Sequence, residues 1–307
     1  MKNLRALSDE SLLQETQVLV AEERRVSLAV LHHLQEIDRR RLFAGLGFSS
    51  LYEYATRALG YSEASAQRRI QAARLLSQCP ELAPQIESGS LSLSVLSQAQ
   101  TFFRREEIRD PKAKREILKT LENQSTRQAE RKLLSLASEP ALHLPEKVRS
   151  VSETHSEIRF TADSELLAQI EELKALLGVT SLQEALAFAV QAGLDRKKPK
   201  AVKTPLPQAS ASESPTPAPV ARTRSISAES KRVVWGRDQG QCSFLETQSG
   251  RRCSSKFGLQ LDHLKPYALG GSNHPDNLAL KCRAHNQFAA IQEFGRDKMA
   301  KFVKSLR

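Results

Sequence analysis

A stretch rich in proline, alanine and serine divides this chain into two parts. Residues 196–228 hold 6 of the chain's 13 prolines and no aromatic residue. Because a segment of this composition cannot bury enough apolar surface to fold, we predict a disordered, semi-extended linker over residues 196–228. The length of 307 residues fits about two domains. The sequence therefore predicts a helical N-terminal part and a small C-terminal domain joined by this linker.

The formal net charge of +11 is unevenly distributed. Residues 1–195 hold 25 basic and 27 acidic side chains, residues 196–228 hold 7 and 1, and residues 229–307 hold 14 and 7. An excess of positive charge in the last third indicates a polyanionic partner, which is usually nucleic acid. The chain has no apolar run long enough to span a membrane, and its N-terminus lacks the apolar stretch of a signal peptide. These features predict a cytoplasmic protein without membrane association.

Residues 1–140 show the apolar spacing of helices. Two predicted helices, within residues 47–60 and 61–78, meet at Gly60, and the second carries Arg68 and Arg69 on its outward side. This arrangement permits a helix-turn-helix that reads DNA, or an ordinary helical hairpin with a solvated basic face. With few other basic residues nearby, the sequence favours the hairpin.

The spacing of apolar residues changes over residues 150–195. Alternation over residues 157–162 predicts a strand, which is followed by one helix over residues 163–177 and a second that begins at Ser181. One strand and two helices resemble the ribbon-helix-helix fold. Because a lone strand leaves unpaired edges, we predict a homodimer formed through residues 150–195. The mixed charges of the outward strand residues favour dimerisation over reading of the major groove.

Three of the four cysteines fall in the C-terminal domain, residues 229–307. Cys242, Cys253, Cys282 and His285 form C-x10-C and C-x2-H pairs. Three thiolates and one imidazole suit tetrahedral Zn²⁺, and so small a domain gains much stability from such a site. The alternative is three buried free cysteines and a surface histidine. Cys79 stands apart and is predicted to be a core residue.

A second set of residues in this domain follows an ordered pattern. It consists of Asp262-His263, Pro266, Gly270-Gly271, Asn277-Leu278, Cys282, His285 and Asn286. Over residues 229–300 this pattern resembles the HNH endonuclease family, whose domain has the ββα-metal fold. The helical N-terminal part resembles, more loosely, the region that precedes such domains in some bacterial nucleases.

The resemblance implies a role for each matching residue. Asp262 would bind a divalent cation, His263 would be the general base, and Asn277 would pin the loop between the strands and orient His263. The helix that follows would supply Asn286 as the second ligand of the cation. The family usually has histidine at this last position, so His285 could instead bind the catalytic metal and leave the zinc site incomplete. Mg²⁺ suits oxygen ligands, whereas Mn²⁺ or Ni²⁺ would suit a site that includes His285.

Basic side chains beside this pattern are candidates for contacts with DNA phosphates, although each could be a solvated surface charge. They are Arg251, Arg252, Lys256, Lys265, Lys281 and Arg283. The partner predicted by the resemblance is double-stranded DNA.

The sequence as a whole predicts a mainly α N-terminal region with a ribbon-helix-helix-like unit, a flexible linker and a small α+β, zinc-stabilised HNH domain. The predicted function is metal-dependent hydrolysis of phosphodiester bonds in DNA. The alternative is a non-catalytic, zinc-stabilised protein that binds DNA or regulates another process.

Overall fold

The computed structural model describes residues 3–138, 146–197 and 225–303. The chain divides into two compact units. The first consists of the described parts of residues 1–42 and 51–162, and the second of residues 43–50 together with the described parts of residues 163–304. Most of the predicted linker, residues 198–224, lies outside the described residues. Its first two residues, Arg196 and Lys197, are helical and end the helix that begins at Leu182.

The described part of the chain is mostly helical and has two small antiparallel sheets. The helices are α1 (Asp9–Arg40), α2 (Leu42–Gly45), α3 (Leu51–Arg57), α4 (Glu63–Gln78), α5 (Ala83–Ser88), α6 (Leu93–Arg105), α7 (Pro111–Lys119), α8 (Thr126–Leu136), α9 (Ser164–Leu177), α10 (Leu182–Lys197), α11 (Ala228–Asp238), α12 (Arg283–Phe294) and α13 (Arg296–Met299). The strands are β1 (Lys147–Ser150), β2 (Ser156–Arg159), β3 (Leu259–His263) and β4 (Leu278–Cys282).

Side-chain caps fix where several helices begin. Ser62 accepts a hydrogen bond from Ser65 N and starts α4. Ser125 and Gln128 form a reciprocal capping box at α8. Gly178 adopts the left-handed conformation at the end of α9. These local signals locate helix ends without reference to tertiary structure.

Helix α4 is the central helix of the first unit and contacts α1, α3 and α6. Its buried side chains include Ile70, Gln71, Ala72 and Leu75, which together cover most of its circumference. Cys79, at its C-terminal end, is fully buried, so its prediction as a core residue is confirmed. A helix buried on so many sides is typical of a core element. The packing favours the helical hairpin, and the helix-turn-helix function stays a prediction.

The strand predicted over residues 157–162 is present as β2 (Ser156–Arg159), but the prediction that it is a lone strand is wrong. Strand β2 pairs with β1 in an antiparallel hairpin, with Val148 opposite Ile158. Strand β1 has one apolar residue among charged and polar neighbours, so its sequence carries too little alternation to be recognised. The hairpin still has two outer edges, and all its residues are exposed. The homodimer stays a prediction, but the lone strand that was the reason for it is not present.

In the second unit, strands β3 and β4 form an antiparallel hairpin that leads directly into α12. One face of the hairpin carries Leu261, Leu278 and Leu280, which pack against Val234 of α11. Because side chains alternate along a strand, the other face carries Gln260, Asp262 and Lys281. Helix α12 contacts both strands. This small α+β arrangement places the sequence pattern on two strands and one helix.

Among the described residues, no single helix is long and apolar enough to cross a membrane; α9 and α10 pass that test only as a pair, and the pair is bent by 90°.

Candidate metal centre and the adjacent Asp262–His263 site

Cys242, Cys253, Cys282 and His285 form one buried cluster. Their ligand atoms all lie within 4.8 Å of one another, and each residue is at most 3% exposed. The predicted convergence of these four residues is therefore confirmed, and the alternative of a surface histidine is wrong. Three sulfur atoms and one nitrogen at this spacing can hold a metal ion.

Backbone pairing explains how a C-x10-C pair can converge. An isolated bridge joins Leu245 to Arg252, and beyond it Cys253 N donates to Phe244 O at 2.9 Å. The intervening turn is organised by Glu246, whose carboxylate accepts hydrogen bonds from Ser249 and from backbone N–H groups. These bonds, led by that from the Ser249 side chain, hold the pKa of Glu246 below its usual range. The ten intervening residues are thus a hairpin-like loop that returns Cys253 to Cys242.

The charge states of the cluster are coupled. Cys242 Sγ accepts a hydrogen bond from Cys282 N, and the neighbouring Cys253 and Cys282 side chains hold the pKa of its thiol well below the ordinary value. Burial lowers the pKa of His285, but hydrogen bonds to Cys242 and Cys282 outweigh it and raise that pKa to about 9. A metal ion binds the deprotonated ligands, so it would displace the protons that the cluster shares.

Both ring nitrogens of His285 are engaged. Nδ1 lies 3.2 Å from Cys282 Sγ and 3.5 Å from Cys242 Sγ, while Nε2 lies 3.0 Å from the Ala44 carbonyl oxygen. The ring also stacks on Phe244, with centroids 4.0 Å apart. This geometry assigns His285 to the cysteine cluster and leaves it no nitrogen for a second metal. The sequence did not predict the contacts of His285 with Phe244 and Ala44. Phe244 could have been suspected because it is close in sequence to the ligand Cys242, whereas nothing in the sequence near Ala44 indicates a contact with His285.

Asp262 lies on the polar face of the β3–β4 hairpin. Its Oδ2 is 2.7 Å from Lys281 Nζ, and the two side chains are only 20% and 13% exposed. The pair lacks hydrogen-bond geometry, and within the described residues Oδ2 accepts no hydrogen bond. Lys281, predicted to contact DNA, therefore faces Asp262 rather than standing as a free surface cation.

His263 is the last residue of β3. Its Nε2 lies 2.9 Å from Asn273 Oδ1, and Asn273 Nδ2 donates to Ser225 O at 3.1 Å. The second bond orients the amide, and an amide oxygen can only accept, so Nε2 carries the proton. In the neutral ring, Nδ1 is then the acceptor. Asn273, in a polar loop, was not predicted to take part.

Asn277 holds the loop that follows β3. Its Oδ1 accepts from Lys265 N at 2.8 Å, and its Nδ2 donates to Lys265 O and Ser272 O at 3.1 and 2.9 Å. A Cβ atom at Gly271 would lie 1.8 Å from Lys265 O, so this position requires glycine. The pinning contacts are those implied for Asn277, and its effect on catalysis stays a prediction.

Asn286 reaches the polar face of the hairpin from α12. Its Nδ2 donates to Gln260 Oε1 at 2.6 Å. Gln260 and Asp262 are two residues apart on β3 and share a face, so Asn286 and Asp262 border the same surface. Gln260 adds an amide oxygen that sequence reasoning did not include.

The remaining basic candidates differ in their surroundings. The Arg252 guanidinium donates to the backbone oxygens of Asp238 and Cys242, which makes it a structural support of the cluster. Arg251 lies with its guanidinium 4.5 Å from the Phe48 ring. The exposed candidates beside the site are Lys256, Lys265 and Arg283. Their contacts with DNA stay predictions.

Comparison with protein-family models, with curated proteins and with solved structures finds no match to this chain.

Proposed function

We propose that the second unit is a metal-dependent endonuclease of the HNH type that hydrolyses phosphodiester bonds in DNA. The observation that carries this proposal is the end of strand β3. There Asp262 and His263 stand side by side on opposite faces, next to a loop fastened by Asn277. A zinc-stabilised module without catalysis needs neither Asp262 nor His263.

His263 is the general base of this proposal. Its Nε2–H bond to Asn273 fixes the ring and its tautomer, so that Nδ1 is the nitrogen that can accept a proton. In the proposed reaction, the attacking water loses its proton to His263 Nδ1 while its oxygen bonds to phosphorus. The bond from phosphorus to the leaving ester oxygen breaks at the same time, and that oxygen takes a proton from solvent. Histidine is the side chain most often used in this way near neutral pH.

The polar face of the hairpin fits a divalent cation. Asp262 Oδ2 is a buried carboxylate oxygen that accepts no hydrogen bond among the described residues, and Gln260, whose Oε1 accepts a hydrogen bond from Asn286 Nδ2, lies on the same face. Oxygen donors of this kind suit Mg²⁺ or Mn²⁺. When bound, such a cation supplies positive charge for the phosphate oxygens of the transition state.

The cysteine cluster is proposed to be a structural Zn²⁺ site. Four protein ligands leave no open position, as is usual for structural rather than catalytic zinc. Cys242 and Cys253 flank one loop, Cys282 ends β4, and His285 lies in the first turn of α12, the helix that carries Asn286. Zinc would thus hold this helix against the hairpin, and metal analysis of the purified protein should find about one zinc per chain.

A non-catalytic function is the second candidate. It is favoured by the Lys281 ammonium beside Asp262, because this ion pair already balances the carboxylate charge that would attract a cation. Such a protein would bind DNA in a salt-sensitive manner and would not cleave it, whichever divalent cation is present.

A nicking assay separates the two functions. Purified protein is incubated with supercoiled plasmid in Mg²⁺, Mn²⁺ or Ni²⁺, and binding is measured in parallel by fluorescence anisotropy. Nicking that requires one of these cations supports the nuclease. Binding without nicking in every cation supports the second candidate.

A further inference from the structure

A segment from the N-terminal third of the chain, residues 43–50, belongs to the second unit and contacts the metal cluster. We propose that this segment positions the metal ligand His285, so that its seating and zinc binding strengthen each other. The inference rests on the proposed zinc site. It adds a part of that site which is more than two hundred residues away in sequence.

The central contact joins His285 Nε2 to the Ala44 carbonyl oxygen at 3.0 Å, and both residues are fully buried. Ala44 lies near the end of the short helix α2, where carbonyl groups lack partners within the helix, and its carbonyl oxygen also accepts from Gly47 N at 3.0 Å. A carbonyl only accepts, so Nε2 must carry the proton. Nδ1 faces the sulfur atoms of Cys242 and Cys282, so its lone pair would point at a metal ion that displaces its proton, which is the tautomer that a metal requires.

The rest of the segment packs on both halves of the cluster. A Cβ atom at Gly47 would lie 3.3 Å from Glu246 Cβ, which is in the loop between the first two cysteines. A Cβ atom at Gly45 would lie 3.3 Å from the ring of Phe288, one turn of α12 beyond His285. The small residues of this segment therefore permit close approach to both sides of the metal ligands.

Coupling of this kind is reciprocal. The factor by which the seated segment raises zinc affinity is also the factor by which zinc favours seating of the segment. Loss of a hydrogen bond to a metal-ligating histidine typically costs about 10- to 100-fold in metal affinity. A change in segment 43–50, which supplies no metal ligand, should therefore alter zinc binding by about this amount.

Two matched pairs of variants of the full-length chain test the inference. Gly47→Ala is compared with Gly60→Ala: both glycines have left-handed backbone, with φ of 82° and 72°, but a Cβ atom meets nothing within 4 Å at Gly60. Gly45→Val is compared with Gly193→Val, since both are helical and a Cβ atom at Gly193 also meets nothing within 4 Å.

Zinc affinity is measured by competition with a chromophoric chelator. Seating is measured by hydrogen exchange at the amides of Gly47 and Phe48, which donate to the carbonyls of Ala44 and Phe43. We expect Gly47→Ala and Gly45→Val to weaken zinc binding about tenfold or more, and the two control variants to stay within about twofold of wild type. Removal of zinc from the wild type should speed exchange at both amides.

The inference would be overturned if the two variants exchange faster at the amides of residues 47 and 48 but bind zinc with unchanged affinity. If neither variant changes hydrogen exchange at these amides, the wild-type protein is the test. Equal exchange rates in the wild type with and without zinc would also overturn the inference. Failure of the zinc site itself looks different, because the purified wild type would then hold no zinc and the chelator would find none.

Discussion

Lys281 Nζ lies 2.7 Å from Asp262 Oδ2, across the polar face of the β3–β4 hairpin. The two residues are diagonal neighbours, since Asp262 stands opposite Ala279 and Lys281 opposite Gln260. The carboxylate of Asp262, the proposed cation ligand, is thus already paired with the positive charge of Lys281. A divalent cation and this ammonium would compete for the same carboxylate oxygen.

Replacement of Lys281 by methionine should strengthen binding of Mn²⁺ at the polar face. Removal of the ammonium frees the carboxylate, and we expect an affinity gain of about tenfold, or about 1.4 kcal/mol. Calorimetric titration of zinc-loaded protein measures it. Lys256→Met, at an exposed loop position, is the control and should leave Mn²⁺ affinity unchanged. Equal affinities for Lys281→Met and wild type would contradict the assignment of Asp262 as a cation ligand.

Replacement of Cys253 by serine should abolish stoichiometric zinc binding, because the fully buried cluster then lacks one of its four ligands. Elemental analysis should fall from about one zinc per chain to a small fraction, and the second unit should unfold at a lower temperature. Cys79→Ser removes an equally buried thiol from the first unit and serves as the control. Equal zinc content in the two variants would refute the Cys3His site.

Glu246 should make the second unit sensitive to acid. Its pKa is lowered in the folded protein by hydrogen bonds from Ser249 and from backbone N–H groups, so its contribution to stability is present above the ordinary pKa of 4.5. That contribution is lost as pH falls through the lowered folded pKa. Urea midpoints of wild type and Glu246→Gln measured from pH 6 to pH 2 should therefore differ at the upper end and converge at the lower. A difference that does not depend on pH would argue against a charged Glu246 as the organiser of the turn.

Replacement of Gly271 by alanine should displace the loop that contains Asn273. The added methyl would lie 1.8 Å from Lys265 O and 2.8 Å from Asn277 Nδ2, so the pinning bonds of Asn277 must break. We expect a lower melting temperature and a loss of nicking of about 100-fold, because His263 loses its orienting partner. Gly236→Ala is the control, since a Cβ atom there meets nothing within 4 Å. Near-normal nicking by Gly271→Ala would show that the loop does not orient His263.

The parts of the fold with local causes could be predicted from sequence. Ser62 and Ser125 cap helices because each supplies an oxygen to nearby N–H groups, and the strand ends at His263 just before the turn at Pro266. The cysteine cluster could be predicted because only a few residue types bind zinc.

The parts that depend on tertiary contact could not be predicted. Strand β1 has too little alternation to stand out, and its partner became evident only in the fold. The Ala44 contact is made by a backbone carbonyl, which every residue possesses, so no side chain marks it. The charge of Lys281 is visible in sequence and makes it a candidate for a phosphate contact, which stays a prediction, whereas its position beside Asp262 is not visible in sequence.

The proposed role of His263 in DNA cleavage is tested most directly by comparing His263→Ala with His274→Ala in the plasmid-nicking assay. His274 is an exposed histidine on the adjoining loop, paired with Asp276, so its loss controls for removal of an imidazole. With Mg²⁺ or Mn²⁺, we predict that His263→Ala nicks at least about 100-fold more slowly than wild type, while His274→Ala keeps wild-type activity. Equal nicking by His263→Ala and wild type would contradict the proposed mechanism.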